Sequence, residues 1–149
     1  MDDMKPTAHP ESHQFDFWVG EWDVSWDGGK GHNSIRKILD DCVIEENFNG
    51  LPSIPLVGRS LSVFSPQYAR WHQTWVDNQG SYLDFIGEWN EDTQKMILER
   101  DDMVGGKHIK QRMAWYNIAA DTLDWNWERS EDGGISWNPQ WIIHYSRMK

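Results

Sequence analysis

The 149-residue chain is acidic: 24 aspartate and glutamate residues against 14 lysine and arginine residues give a formal net charge of −10 at pH 7. An acidic surface repels phosphate backbones and anionic lipids, which disfavours nucleic acid and membrane surfaces as partners. The single cysteine, Cys42, excludes an internal disulfide and a cysteine-based zinc site. It also suits a reducing compartment. Because we find no signal pattern and no long apolar run either, we expect a cytoplasmic protein.

The core is expected to be aromatic. The hydrophobic fraction is only 38%, but 11 of the residues are tryptophan. Each tryptophan buries a large area and brings one indole N–H that needs a hydrogen-bond partner. We therefore expect one domain, large enough to fold without disulfides or metals, whose core contains scattered polar groups that satisfy the indoles.

The start of the chain predicts a short helix. Residues 1–9 are polar and are expected to form a disordered tail, followed by a single domain over residues 10–149. Pro10 favours the first turn of a helix that continues to about Trp18. Phe15, Trp18 and Val19 would share one face of this helix, which could plug one end of a larger structure.

After Gly20 the hydrophobic period changes to two, which is typical of strands. The first strand alternates through Trp22, Val24 and Trp26. The strands predicted after it are Ser34–Asp40, Cys42–Asn49, Gly58–Phe64, Trp71–Asp77, Tyr82–Trp89, Lys95–Arg100, Lys107–Ile118, Thr122–Ser130 and Trp137–Tyr145. About ten strands joined by short turns predict an all-β, antiparallel, up-and-down meander that curls and closes into a barrel. The alternative is a two-sheet sandwich of the same strands.

The opening of the domain resembles a known barrel group. A short helix followed directly by Gly20-Glu21-Trp22 is similar to the Gly-x-Trp opening of the lipocalins and fatty-acid-binding proteins, the calycins. The resemblance implies that Trp22 packs at the closed end of the barrel under Arg147, a cation over a ring face. The longer string from Phe15 to Val24 also resembles the start of a bacterial family of small proteins without an assigned activity, so it implies a fold and not a reaction.

A second motif lies near the end of the chain. Residues 130–137 match the Asp-box hairpin, Ser-x-Asp-x-Gly-x-Ser/Thr-Trp, at Ser130, Asp132, Gly134 and Trp137. In this hairpin the serine and aspartate side chains bind the backbone of their own turn, and the tryptophan packs beneath it. We interpret the motif as structural, with no bearing on glycosidase activity.

Polar residues on apolar strand faces indicate where a ligand could bind. Ile44, Glu46 and Phe48 share one face of the third predicted strand, and Gln73 lies between two tryptophans on the fifth. Glu46 and Gln73 either satisfy buried indoles or orient a ligand in the interior. The ligand-binding candidates are therefore Glu46, Gln73 and Arg112 as anchors, with Trp71, Trp75, Trp115 and Trp127 as walls.

Two functions remain open at this point. One is binding of a small apolar or aromatic molecule, for which a ten-stranded barrel leaves room. The other is an enzyme that uses the same pocket for isomerisation, cyclisation or lyase chemistry, with Glu46, or else His72 or His144, as general base. A Glu46 paired with arginine would be an anchor, whereas an unpaired Glu46 in an apolar niche would be a candidate base.

Other ligands are less favoured by the sequence. His144 could ligate haem as in some ten-stranded barrels, but the glycine-rich first strand of the nitrobindin group is missing, and we expect no cofactor. His9 and His13 are separated by Pro10, so we expect no metal site there. Carbohydrate binding would need an exposed row of tryptophans. A homodimer is one open alternative for the oligomeric state.

Overall fold

The computed structural model describes residues 9–149 of the chain. The tail predicted over residues 1–9 therefore lies almost entirely outside the described residues. The predicted N-terminal helix is present as two short 3₁₀ helices, Pro10–His13 and Asp16–Trp18. Within residues 9–149, we find no helix with the length and apolar character needed to cross a membrane.

Ten strands make up the rest of the domain. In chain order they are β1 Gly20–Trp26, β2 Gly29–Ile38, β3 Val43–Asn49, β4 Val57–Ser65, β5 Arg70–Asp77, β6 Tyr82–Asn90, β7 Lys95–Val104, β8 Lys107–Tyr116, β9 Thr122–Ser130 and β10 Asn138–Arg147. Every strand pairs antiparallel with its neighbour in sequence, and β1 also pairs with β10, which closes the barrel. The all-β, up-and-down barrel is confirmed. The sandwich alternative is excluded, because a single closed sheet contains all ten strands.

The largest difference from the predicted strand bounds is at β2, which begins at Gly29 and not at Ser34. Trp26 pairs directly with Gly29, so the hairpin turn consists only of Asp27 and Gly28. Gly28 has a φ of +86°, which glycine adopts without strain. The glycine-rich segment after it looks like an extended turn in sequence, but its backbone continues the β2 ladder.

One end of the barrel is closed by the 3₁₀ segment. Phe15 is fully buried there and packs edge-on against Trp71 and Trp115, with ring centres 4.9 and 5.0 Å apart. Trp18 packs edge-on against the same Trp115 ring at 5.1 Å. Edge-to-face contacts between aromatic rings are favourable in addition to the area they bury. The plug predicted from the apolar face of the N-terminal segment thus consists of interlocked aromatic rings.

Arg147 ties this closed end to the last strand. Its guanidinium carbon lies 4.1 Å from the ring centre of Trp22, whose indole N–H donates to the Trp18 carbonyl at 2.8 Å. The same guanidinium donates to the carbonyls of Phe17, Val19 and Ala120 at 3.0, 2.8 and 2.7 Å. This is the arrangement that the calycin resemblance implies, and the barrel as a whole is compatible with a calycin-like fold.

The Asp-box hairpin connects β9 to β10 at the opposite end. The Asp132 carboxylate accepts hydrogen bonds from the backbone N–H of Ile135 and Ser136, at 3.1 and 2.9 Å, and from the Ser136 hydroxyl. These bonds, led by the one from the Ser136 hydroxyl, lower the pKa of Asp132 well below its ordinary value. The Ser130 hydroxyl accepts from the Gly134 N–H at 2.8 Å. All of these contacts lie within the turn, as expected for a structural hairpin.

Candidate functional site

A cavity of about 290 Å³ opens at the end of the barrel opposite the 3₁₀ segment. Its walls are inward-facing side chains of six strands, and its mouth is formed by residues where β4 begins and β5 ends. The lining side chains are Glu46, Phe48, Leu56, Trp75, Asp77, Ser81, Leu83, Phe85, Met113, Trp125, Trp127, Trp141, Ile143 and Tyr145. A concave, mostly apolar site with a few polar groups is the usual form of a small-molecule pocket.

Aromatic rings form the main walls of this cavity. Trp141 packs edge-on against both Phe48 and Trp125, at 5.9 and 6.1 Å between ring centres. Phe85 and Trp127 make a similar contact at 5.7 Å. The rings come from separate strands and hold one another at steep angles, so the walls have a defined shape.

Glu46 is the buried acid of the cavity. Its side chain projects inward from β3, only 8% of the residue is exposed, and it lines the pocket. Asn33 Nδ2 donates to its Oε2 at 2.7 Å, and the Ser60 hydroxyl donates to its Oε1 at 2.7 Å. Among the described residues, no lysine, arginine or histidine forms an ion pair or hydrogen bond with it. Desolvation therefore raises the pKa of Glu46, although these two hydrogen bonds act in the opposite direction.

Tyr145 lies next to Glu46 in the same hydrogen-bond network. Asn33 Nδ2 donates to the Tyr145 hydroxyl at 2.8 Å, so one amide group links the carboxyl and the phenol. Burial raises the pKa of Tyr145 far above its ordinary value, and the nearby Glu46 adds to this effect. Tyr145 therefore remains a neutral hydroxyl at any physiological pH.

Asp77 is the second acid of the cavity and lies at its mouth. Its carboxylate accepts hydrogen bonds from the Trp75 indole N–H at 2.8 Å and from the backbone N–H of Gln79 and Ser81, at 2.9 and 3.2 Å. Burial acts to raise the pKa of Asp77, but these bonds outweigh it and the pKa lies below its ordinary value. Asp77 is therefore a stable negative charge at neutral pH.

Three of the sequence-predicted binding residues line this cavity: Glu46, Trp75 and Trp127. Gln73 also faces the barrel interior, but it donates to the Ser62 hydroxyl at 2.9 Å and does not line the cavity. Trp71 and Trp115 are buried under the 3₁₀ segment, where they pack against Phe15. The predicted walls are therefore divided between the closed end and the cavity.

Arg112 lies on the outer face of β8 and not in the cavity. Its Nε donates to Glu128 Oε1 at 2.6 Å, and its guanidinium carbon lies 4.1 Å from the ring centre of Trp137. The expectation that Arg112 anchors a ligand in the interior does not agree with this position. The physical reason is the alternation of β8, which directs Met113 and Trp115 inward and therefore directs Arg112 outward.

His72 and His144, the two histidines predicted as alternative general bases, also lie outside the barrel interior. His144 is exposed on β10, and its Nδ1 lies 2.8 Å from Asp124 Oδ1. His72 is on the outer face of β5, with its ring centre 5.8 Å from that of Tyr68. Neither side chain lines the cavity, so neither is placed to act there as a general base, and His144 is not placed to ligate haem inside the barrel.

Sequence reasoning missed several residues of the site. Tyr145 and Trp141 are on the inward face of β10, opposite Gln140, Ile142 and His144, but alternation does not show which inward side chains border an open space. The strand predicted there begins at Ser34, so Asn33 lies one residue outside it, whereas β2 begins at Gly29. Ser60 alternates with exposed Arg59 and Leu61 on β4, and that polar position on an inward face was the available signal.

Within residues 9–149, no cluster of three or more histidine, cysteine, aspartate or glutamate side chains could hold a metal ion.

Comparison with known proteins does not add a function. No family model matches the chain, and no curated protein is significantly similar to it.

Proposed function

We propose that this protein binds a small apolar or aromatic molecule in the cavity at the open end of the barrel. The observation that carries the proposal is a space of about 290 Å³ whose walls include four tryptophan and two phenylalanine rings. Aromatic walls of fixed shape favour a flat or compact apolar ligand, and a few polar groups orient it. The resemblance to the calycins supports the same function, since lipocalin barrels hold one small ligand.

The closed end supports this proposal by contrast. There, the interior between the 3₁₀ segment and the strands is filled with the rings of Phe15, Trp18, Trp71 and Trp115. The same barrel therefore packs its core densely at one end and leaves space at the other. A cavity kept beside a densely packed core is more typical of a binding site than of a packing defect, since interiors are normally well filled.

The proposal is tested by filling the cavity. Leu83 lines the cavity from β6, and Ile86 lies on the outer face of the same strand, where 46% of it is exposed. Leu83→Trp should weaken binding of 1-naphthylmethanol, measured by isothermal titration calorimetry, by at least tenfold. Ile86→Trp adds a similar ring outside the barrel and should leave binding unchanged. Equal binding by the wild type and Leu83→Trp, or no binding by the wild type, would contradict the proposal.

A second candidate function, an enzyme that uses Glu46 as a general base, is favoured by one observation. Glu46 lines an apolar cavity without a basic partner among the described residues, and it is the one of the three predicted catalytic candidates that lies there. Burial raises its pKa, which makes it a better base once it is ionised. An NMR titration of the Glu46 carboxyl tests this role; a pKa below about 4 would exclude it.

A further inference from the structure

The charges around the cavity are all of one sign. The carboxyls of Glu46, at depth, and of Asp77, at the mouth, are its ionisable acids. Among the described residues that line it, there is no lysine, arginine or histidine. The whole chain carries a formal net charge of −10. A cleft with low-dielectric walls concentrates the field of such charges, so the cavity attracts cations and repels anions.

The hydrogen bonds of Glu46 leave room for a further donor. Each carboxylate oxygen has two lone pairs, and Oε1 and Oε2 each accept one bond, from Ser60 and Asn33 respectively. Both donors are neutral, so they do not cancel the charge of the carboxylate. A positively charged donor in the cavity could bond to the remaining lone pairs and supply the missing charge.

The walls suit the same kind of ligand. A cation is attracted to the negative face of an aromatic ring, most strongly to tryptophan, and the attraction is larger where water is excluded. Trp75, Trp125, Trp127 and Trp141 all line this cavity, together with Phe48 and Phe85. Rings from several strands around a buried acid form the arrangement by which proteins bind organic ammonium groups.

We infer that the ligand of this cavity is a cation, an organic ammonium group attached to an apolar or aromatic body, which Glu46 and the surrounding tryptophan rings bind together. The inference depends on the proposed binding function and narrows its ligand class. It also separates this cavity from sites for fatty acids, since a carboxylate ligand would meet two acids and no basic side chain among the described lining residues. Asp77 contributes by attracting the cation at the mouth.

The test uses three probes of nearly equal shape on the full-length protein: 1-naphthylmethylammonium, 1-naphthylmethanol and 1-naphthoate. Calorimetric titration at neutral pH and low ionic strength should show the ammonium binding about tenfold more tightly than the alcohol. The carboxylate should bind most weakly. Equal affinity for ammonium and alcohol, or tightest binding of the carboxylate, would overturn the inference while leaving the proposed function intact. Binding of none of the three would overturn both.

Matched variants show which residue produces the preference for ammonium over alcohol. Glu46→Gln removes the buried charge at constant size and should reduce the preference for ammonium over alcohol to less than threefold. Asp84→Asn removes one charge from the exposed outer face of β6 and should keep the full preference. If Glu46→Gln does not fold, Asp77→Asn provides the second test. It removes the carboxylate at the less buried mouth and should also reduce the preference for ammonium over alcohol. If the preference persists in both cavity variants, the inference is wrong.

Discussion

Asn33 donates a 2.7 Å hydrogen bond to the buried carboxyl of Glu46, and this contact joins β2 to the polar end of the cavity. The same amide nitrogen also donates to the Tyr145 hydroxyl on β10. Asn33 and Glu46 come from the neighbouring strands β2 and β3, respectively. This buried carboxyl is thus held in place by neutral groups, which fix its position and supply no compensating positive charge.

The first prediction concerns how stability depends on pH. Burial raises the folded-state pKa of Glu46 above its ordinary value of 4.5. Well below pH 4.5 the carboxyl is protonated in both folded and unfolded chains. As pH rises from there through the folded-state pKa, the unfolded chain loses the proton first, so this group progressively destabilises the fold. Urea unfolding should show the wild type losing stability relative to Glu46→Gln over this range.

The surroundings of Glu46 make this prediction specific. Asn33 and Ser60 do not titrate, Tyr145 titrates far above the range, and Asp77 remains ionised throughout it. Asp84→Asn changes the net charge by the same amount as Glu46→Gln, but at an exposed position. Its free energy of unfolding should therefore change with pH as that of the wild type does. If the free energies of unfolding of the wild type and Glu46→Gln change in parallel with pH, burial does not raise the pKa of Glu46.

The second prediction concerns Arg147. The guanidinium covers Trp22 and donates to three backbone carbonyls of two separate segments, so Arg147→Met should reduce the free energy of unfolding by about 2–4 kcal/mol. Urea denaturation provides the measurement. Arg59→Met, on the exposed outer face of β4, is the control and should change stability by less than about 0.5 kcal/mol. If Arg147→Met and Arg59→Met lower the free energy of unfolding by the same small amount, Arg147 does not tie the 3₁₀ segment to the barrel.

The third prediction concerns Gly20, which has a φ of +145°. A Cβ at this position would lie 2.3 Å from Arg147 Nη1, whereas one at Gly28, with a φ of +86°, would meet nothing within 4 Å. Gly28→Ala should cost about 1 kcal/mol from backbone strain alone, and Gly20→Ala about 2–4 kcal/mol. In the double variant with Arg147→Met the two losses should be less than additive. Additive losses would indicate that the Cβ and the guanidinium do not collide.

Strand alternation and turn signals predicted the barrel well, because each hairpin is a local feature of the sequence. Alternation places Ile44, Glu46 and Phe48 on one inward face, and the structure buries all three. The Trp22–Arg147 contact came from the family resemblance and not from alternation, since its two residues lie at opposite ends of the domain.

The polar network of the cavity was harder to predict, because barrel closure assembles it. Asn33 and Tyr145 are 112 residues apart, and only closure of the sheet through β1 and β10 brings their side chains together. Similarly, alternation shows that Trp71 and Trp75 face inward, but not that Phe15 fills the space beside Trp71 and leaves the space beside Trp75 open. That distinction depends on where the 3₁₀ segment packs.

The most direct test of binding in the open end uses the indole N–H resonances of the 11 tryptophans. A ¹H–¹⁵N correlation spectrum is recorded while 1-naphthylmethanol is added, with assignments from single tryptophan-to-phenylalanine variants. We expect the resonances of Trp75, Trp125, Trp127 and Trp141 to shift, because these residues line the cavity. The resonances of Trp22, Trp71 and Trp115 should not move. Shifts confined to those closed-end residues, or no shifts at all, would contradict the account.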